Sequence, residues 1–332
     1  MRVAFVIDDP VTNGMAAIAL SWVRQLAAFY PEDRYLVLSE SPRAEHTASL
    51  PLGQVRVDTV PHRYPLFPFW SDALRYKKLF SFRPELVVTT HPAQRGLTRW
   101  KRARVSAGGG LEARGVETFF TPFAPDAYTL LGPEQKHGVK EQWTFGREFF
   151  MMAGPLPSES QLILLLQAFS IFKHRQQSGL RLVLPFSIAD HYRSLAKKID
   201  QYKYRSALVM TGSIEPSQVA QLAGAAYALV APGPPGSALL PVVQAWHSGI
   251  PLLALPDSHL SSIANGSVLF AADPSKESLA TIMMQIYKDE SLRLQLIRYG
   301  QQCRSAIDIP EETARLHTKL LELVSEPSDH AA

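Results

Sequence analysis

Short runs of consecutive apolar residues recur along this chain, and most are followed by a turn and then by a segment with apolar positions three and four apart. Runs of the first kind predict strands buried on both faces, and their alternation with helical segments predicts parallel sheets. Arg2 to Asp8 predicts a strand, a turn containing Gly14 follows, and Met15 to Phe29 predicts a helix. Further strands are expected at 34–38 and 55–60, a helix at 72–82, a strand at 86–91 ending in His91, and another strand at 116–122. Residues 124–146 are turn-rich and polar, which suits a linker. The alternation then resumes with strands at 149–153, 180–184, 207–211, 228–231, 250–255 and 268–270. Helices are expected between them at 161–173, 187–202, 216–224 and 241–247, and after them at 275–288, 291–305 and 310–324. The segment from Ser275 to Ser278 and the Pro310-Glu311-Glu312 triplet are good helix starts.

The pattern predicts an α/β protein with two doubly wound, Rossmann-like domains. Their expected bounds are 1–123 and 147–325, with a linker at 124–146 and a tail at 326–332. A chain of 332 residues is long for one core and comfortable for two. Ligands in such sheets bind outside the carboxyl ends of the strands. The loop from Pro232 to Leu240, crowded with Pro and Gly between the strand at 228–231 and the helix at 241–247, is therefore the first place to look for a site.

Composition narrows the classes. The single Cys303 excludes a disulfide framework and a cysteine metal cluster. A net charge of +4 allows an anionic partner without requiring one. No run reaches the ~18 apolar residues of a membrane span, and the N-terminus lacks a basic region followed by an apolar core. The expected location is the cytoplasm. A basic run, Arg95, Arg99, Lys101, Arg102 and Arg104 around Trp100, reads either as a contact with the inner face of the cytoplasmic membrane or as a plain solvated face. The loop at 62–70, rich in Pro and aromatic residues, either faces an acceptor or a membrane or tucks into the core.

Isolated candidates carry little. The turn at Gly14 has one Gly and is not a dinucleotide fingerprint. His91 stands where an α/β site would use a base, or is a structural strand-end residue. Asp8 and Asp9 are adjacent strand-end residues that point to opposite faces, so no metal pair is expected. There is no zinc spacing, no phosphate-binding P-loop and no Ser-His-Asp arrangement.

The second half carries an ordered set of motifs: Gly154, Ala168-Phe169, Tyr202-Lys203-Tyr204, Thr211-Gly212, Ala228-Leu229-Val230, Leu240-Pro241-Val242-Val243-Gln244-Ala245, Gly249-Ile250-Pro251, Asp273-Pro274 and the run from Ile286 to Glu290. Over residues 146–325 this order and spacing resemble the donor-binding half of the family 4, or group 1, glycosyltransferases, especially their bacterial surface-polysaccharide branch. The resemblance implies the GT-B fold, two Rossmann-like domains facing each other across a cleft. It implies retaining transfer of a sugar from a nucleotide-sugar donor to a glycan or lipid-linked acceptor, with no metal and no other cofactor. In that family an Arg and a Lys neutralise the diphosphate, whose charge grows as it leaves. Two Glu residues eight positions apart flank a Gly-rich loop and bind donor hydroxyls.

The register fixed by Gly154 and Phe169 puts different chemistry at those positions. Glu159 stands at the family's Arg and Ser160 at its Lys. Gly236 replaces the first Glu, Gln244 the second, and Leu239 the loop's second Gly, while Phe186 falls where a strand-ending Gly is usual. The candidate donor-site residues are then Gly14, Gly154, Glu159, Ser160, Gly236, Ser237, Leu240 and Gln244, with His91 the one candidate base. A carboxylate ~4 Å from a phosphate costs roughly 4 kcal/mol at a partly screened site. Two functions stay open: a glycosyltransferase with an altered donor site, or a catalytically inactive homologue that binds or scaffolds active transferases. No nucleic-acid partner is expected.

Overall fold

The computed structural model describes residues 1–7, 14–39, 50, 53–60, 68–90, 100–105, 110–113, 116–120, 128–233 and 239–326. The chain forms two compact units, Met1–Phe123 with Ile307–Ala332, and Ala124–Ala306.

The first unit opens with β1 (Arg2–Ile7), α1 (Gly14–Phe29), β2 (Arg34–Ser39), β3 (Val55–Thr59), α2 (Pro68–Phe82) and β4 (Leu86–Thr89). It continues through β5 (Lys101–Val105), β6 (Gly110–Ala113) and β7 (Val116–Phe119). The sheet order is β3-β2-β1-β4-β5-β6-β7. β1 to β5 pair in parallel, and β6 and β7 are added antiparallel. The apolar runs of β1 and β4 are buried because neighbouring strands and helices cover both faces. β5, within the basic run, is a strand that the sequence pattern did not predict. Its residues alternate, with Ala103 and Val105 buried and Arg102 exposed. Three basic residues in five hid a strand of period two.

The second unit runs α3 (Pro133–Thr144), β8 (Phe149–Met152), α4 (Glu159–Gln176), β9 (Arg181–Leu184), α5 (Ile188–His191), α6 (Arg193–Ala196), β10 (Leu208–Met210) and α7 (Pro216–Ala225). Then come β11 (Ala228–Ala231), α8 (Leu239–Ser248), β12 (Leu252–Ala254), α9 (Ser258–Ala264), β13 (Val268–Phe270), α10 (Lys276–Lys288) and α11 (Glu290–Ala306). All six strands are parallel in the order β10-β9-β8-β11-β12-β13. Two βαβαβ halves in this order reverse direction between β8 and β11, and that reversal is the topological switch point. The core beneath it gathers Phe150, Leu165, Phe169, Phe172, Leu182, Val230 and Met283.

Three expectations change here. Residues 124–146 are no mere linker, since Pro133–Thr144 is a helix that packs on α7. Its apolar content is too low to show a stripe. The helix expected at 187–202 is broken into α5, α6 and a 3-10 turn at Ile199–Gln201. Between α5 and α6, Tyr192 adopts φ −132°, ψ 81° while its hydroxyl donates to the carbonyl of Pro157. α9 was not foreseen, and it starts at Asp257, whose carboxylate accepts from Leu260 N at 3.0 Å.

The last helix, α12 (Ile309–Ser325), corrects the domain bounds, for it belongs to the first unit and not to the second. Asp308 caps its start, accepting from Glu311 N at 3.0 Å, and Pro310 sits in the first turn. Leu316, Leu320 and Leu323 make one buried stripe, and the helix packs on α1 and β4. His317 stacks on Tyr30 at 3.5 Å, and its Nε2 lies 2.8 Å from Asp33 Oδ2. Asp33 is buried, and it also holds the amino group of Met1 at 2.5 Å and the Tyr35 hydroxyl at 3.3 Å. Lys101 donates to the carbonyl of Val324, one of the orphan acceptors at the end of α12.

One carboxylate therefore anchors three elements of the first unit. Asp33→Ala leaves the buried amino group of Met1 without its partner, and should lower stability by about 3 kcal/mol. Urea unfolding followed by tryptophan fluorescence would show this, and an unchanged midpoint would mean that Asp33 carries no such load.

Candidate functional site

The two strands at the switch point, β8 and β11, each lead into a candidate loop. After β8 the chain passes Ala153, whose N–H donates to Val230 O at 2.9 Å, and so the loop is tied to β11. Gly154 follows at φ +101°, a conformation that only glycine adopts without strain. Pro155, Leu156 and Pro157 bring the chain to Ser158, the N-cap of α4. Ser158 Oγ accepts from Gln161 N at 3.3 Å and Gln161 Oε1 accepts from Ser158 N at 2.8 Å, a reciprocal capping box.

The first turn of α4 carries the predicted pair. Glu159 is the first helical residue, and its carboxylate accepts a hydrogen bond from the Ser194 hydroxyl of α6. Ser160 lies next to it, exposed, with its Oγ 2.9 Å from Ser158 Oγ. The N–H groups of Glu159 and Ser160 take no partner among the described residues. The turn thus presents free N–H donors, two hydroxyls and one carboxylate. A helix N-terminus favours negative charge, and here the protein's own side chain supplies it.

Tyr192 braces this loop from the other side. It is buried, and its hydroxyl bonds Pro157 O, one residue before the cap. Burial first, and the Glu159 charge second, push its pKa up to about 12. Phe186, just past β9, packs in the core with Ile188 and Tyr192, its ring 6.1 Å from that of Tyr192. The residue that stands where a strand-ending Gly is usual is therefore a core residue here.

On the β11 side, Gly236 and Ser237 lie outside the described residues, as does all of 234–238. α8 starts at Leu239, which is buried, so its side chain belongs to the core. Leu240 and Gln244 are half-buried and four apart, hence on one face. Gln244 makes no hydrogen bond to any described residue. α11 braces α8, where Gly300 permits close approach: a Cβ built there would lie 2.9 Å from Trp246 Cδ1. A third loop contributes Gly212 at φ +69°, with open space around the position of a Cβ.

The structure thus places Gly154 in the loop after β8, Glu159 and Ser160 in the first turn of α4, and Leu240 and Gln244 on α8, the helix that follows β11. Gly14 starts α1 in the first unit. His91, Arg95, Arg99, Asp8, Asp9 and residues 61–67 lie outside the described residues. Lys101 and Arg104 are already engaged, with Val324 O and with Glu112, so among the described residues of the basic run Arg102 is the exposed one without an ion pair. Ser194 and Tyr192 were missed on sequence because they meet the α4 loop across about thirty-five residues, with no local motif. No group of three or more His, Cys, Asp or Glu side chains arranged for a metal exists among the described residues. No helix is long and apolar enough to cross a membrane, again among the described residues.

The fold defines the class, a GT-B protein. Three solved structures share the fold. They are HepE of Anabaena in complex with UDP and glucose (TM-score 0.73, 12% identity, 97% of this chain and 100% of that one), sucrose-phosphate synthase from Thermosynechococcus elongatus (0.70, 12%, 97% and 99%) and WaaG, a glycosyltransferase involved in lipopolysaccharide biosynthesis (0.65, 13%, 98% and 100%). No curated protein matches by sequence. The family model for glycosyl transferases group 1 matches residues 135–303, half of the chain, and the chain belongs to that family.

The Tyr192 hydroxyl has a stability consequence with a definite sign. A tyrosine whose folded pKa lies above the ordinary value of 10.0 stabilises the fold fully below pH 10. That contribution falls as pH rises from 10 towards 12, because only the unfolded chain then ionises. Tyr192→Phe should cost about 1 kcal/mol at pH 7 through the lost bond to Pro157, and should flatten the loss of stability above pH 10. Denaturation midpoints of both proteins across pH 7 to 11 test it, and parallel curves would contradict it.

Proposed function

We propose that this glycosyltransferase-family chain is a catalytically inactive homologue that binds nucleoside diphosphates weakly and works as a binding or scaffolding partner of active transferases. One observation carries the reading: the Glu159 carboxylate occupies the first turn of α4, held by Ser194, at the position where the resemblance calls for an arginine. A departing diphosphate needs cations that gain strength as its charge grows. A carboxylate and the Ser160 hydroxyl supply the opposite and the neutral alternative. Gln244 retains an acceptor oxygen but no charge, so a donor hydroxyl held there is held less strongly than by a carboxylate.

A second reading has its own support. The N-termini of α4 and α8 still flank the switch point, Gly154 and Gly212 keep their positive φ values, and the N–H groups of Glu159 and Ser160, which bond no described residue, offer donors for a phosphate. On this reading the chain transfers a sugar from a nucleotide sugar to a glycan or lipid-linked acceptor with retention, in surface polysaccharide synthesis, at the inner face of the cytoplasmic membrane. HepE, which shares the fold, has been crystallised with UDP-glucose.

Calorimetric titration with UDP, GDP and their sugars separates the two. The wild-type chain should bind no tighter than about 1 mM, and Glu159→Arg with Ser160→Lys should gain about 10–100-fold for the diphosphates. Micromolar wild-type binding, or release of UDP from UDP-glucose above the rate in buffer, would overturn the inactive reading in favour of the second.

A further inference from the structure

At the opposite, amino end of the β8–β9 pair, the second unit holds a cluster of cations that the donor site does not use. α3 ends at Phe145, a bulky residue at φ +55° with its ring 77% exposed, so the turn into β8 is held in the left-handed region at some cost. Two residues on, the extended approach to β8 sends successive side chains to opposite sides. Glu148 goes to one side, where it pairs with Lys140 at 2.5 Å and acts on Lys136 and Arg293. Arg147 goes to the other, towards the turn at 177–180 that joins α4 to β9.

That turn is where the cations meet. Lys173, in the last turn of α4, donates to the carbonyls of Ser178 and, at 3.1 Å, of Leu180. Between them lies Gly179, where an added Cβ would stand 2.8 Å from Arg147 Nη1, so the guanidinium rests against the turn. Arg181 begins β9, and its guanidinium lies 5.2 Å from the centre of the Phe145 ring. Its Nη1 reaches Ser206 O at a long 3.4 Å, and its buried Nε has no partner. The Ser178 hydroxyl is also buried and without a partner. A buried polar group left unmatched costs stability that a ligand can recover.

The charge here is not balanced internally. Arg147 makes no ion pair or side-chain hydrogen bond to a described residue. Burial, then Arg147, then Arg181 hold Lys173 below the ordinary lysine value, and no acid opposes them. Two acids of the neighbouring α3–β8 segment face elsewhere, Glu148 to Lys140 and Glu141 to His137. The negative end of α4 offsets about half a charge of the three.

We propose that Arg147, Lys173 and Arg181, with the Ser178 hydroxyl, form a second anion site for a phosphate dianion or a small phosphomonoester, separate from the donor loops. Two guanidinium forks and an ammonium match the oxygens of a tetrahedral dianion. The exposed face of Phe145 gives the organic part of a phosphomonoester an apolar surface beside the charge. The site depends on neither reading of the donor loops.

Thermal unfolding of the full chain in sodium phosphate, in glucose 1-phosphate and in sodium chloride, all at one ionic strength, tests this. Phosphate should raise the melting temperature saturably where chloride does not. Glucose 1-phosphate binding more tightly than phosphate would assign Phe145 to the organic part, and equal binding would assign the site to the phosphate alone. Arg147→Glu, a change at an exposed position, should weaken the phosphate effect at least about tenfold and leave the melting temperature in chloride unchanged. Ser178→Ala should weaken it as well, without destabilising the free protein, since that hydroxyl bonds nothing in the fold. A phosphate effect that chloride reproduces, or that survives Arg147→Glu, would overturn the proposal. UDP titration of the chain carrying Glu159→Arg and Ser160→Lys should be indifferent to Arg147→Glu, so each site can fail without the other.

Discussion

Two fields meet in opposition at the first turn of α4. The helix of eighteen residues brings the positive end of its dipole, with unpaired N–H groups, to the switch point of a parallel sheet. Glu159 answers that field from within the chain, and Ser194 fixes the carboxylate in place. In a protein that must hold a diphosphate, the same end would be left positive and reinforced by cations. The local arrangement here is comfortable for the fold. On the proposed inactive reading, that same comfort works against a phosphate leaving group.

The surrounding structure is arranged to keep that turn where it is. Tyr192 interrupts what would be one continuous helix, and its hydroxyl clamps Pro157. Phe186 and Tyr192 then fill the space below the loop, and the capping box of Ser158 and Gln161 fixes the entry into α4. On the other side of the switch point, Trp246 bonds Ser267 at 2.8 Å and packs on Gly300, which fixes α8 and with it the face bearing Leu240 and Gln244. The described framework of the second unit is that of a group 1 glycosyltransferase, and Glu159 and Ser160 are side chains projecting from it.

Much of the second unit was legible in the sequence because its strands are buried on both faces and its helices begin at clear caps. Apolar runs such as Phe149–Met152 and Ala228–Ala231 leave no other reading once turns bound them. The identity of Glu159 and Ser160 was legible too, given a register fixed by Gly154 and Phe169. What escaped were features set by long-range contact. α3 is polar and gains its place from α7, β5 hides its alternation among basic side chains, and α12 crosses back to the first unit through Asp33 and His317, nearly three hundred residues apart in sequence. None of these leaves a mark in a local window.

The two ends of the α4 segment show how charge is distributed in the second unit. The amino end of α4 carries an acid where the family's chemistry needs a base, and the carboxyl end gathers Lys173, His174 and Arg175 in its last turn, with Arg147 and Arg181 close by. Both choices agree with the helix dipole, acid at the start and cations at the finish. Stability alone accounts for Glu159 in this sense, and for Lys173, which satisfies the carbonyls of Ser178 and Leu180. It does not account for the Arg147 side chain, which bonds no described residue, nor for the buried Ser178 hydroxyl left unmatched beside it. Groups that the fold does not use are the ones on which a ligand can act, and in this unit they lie at the end of α4 remote from the donor loops.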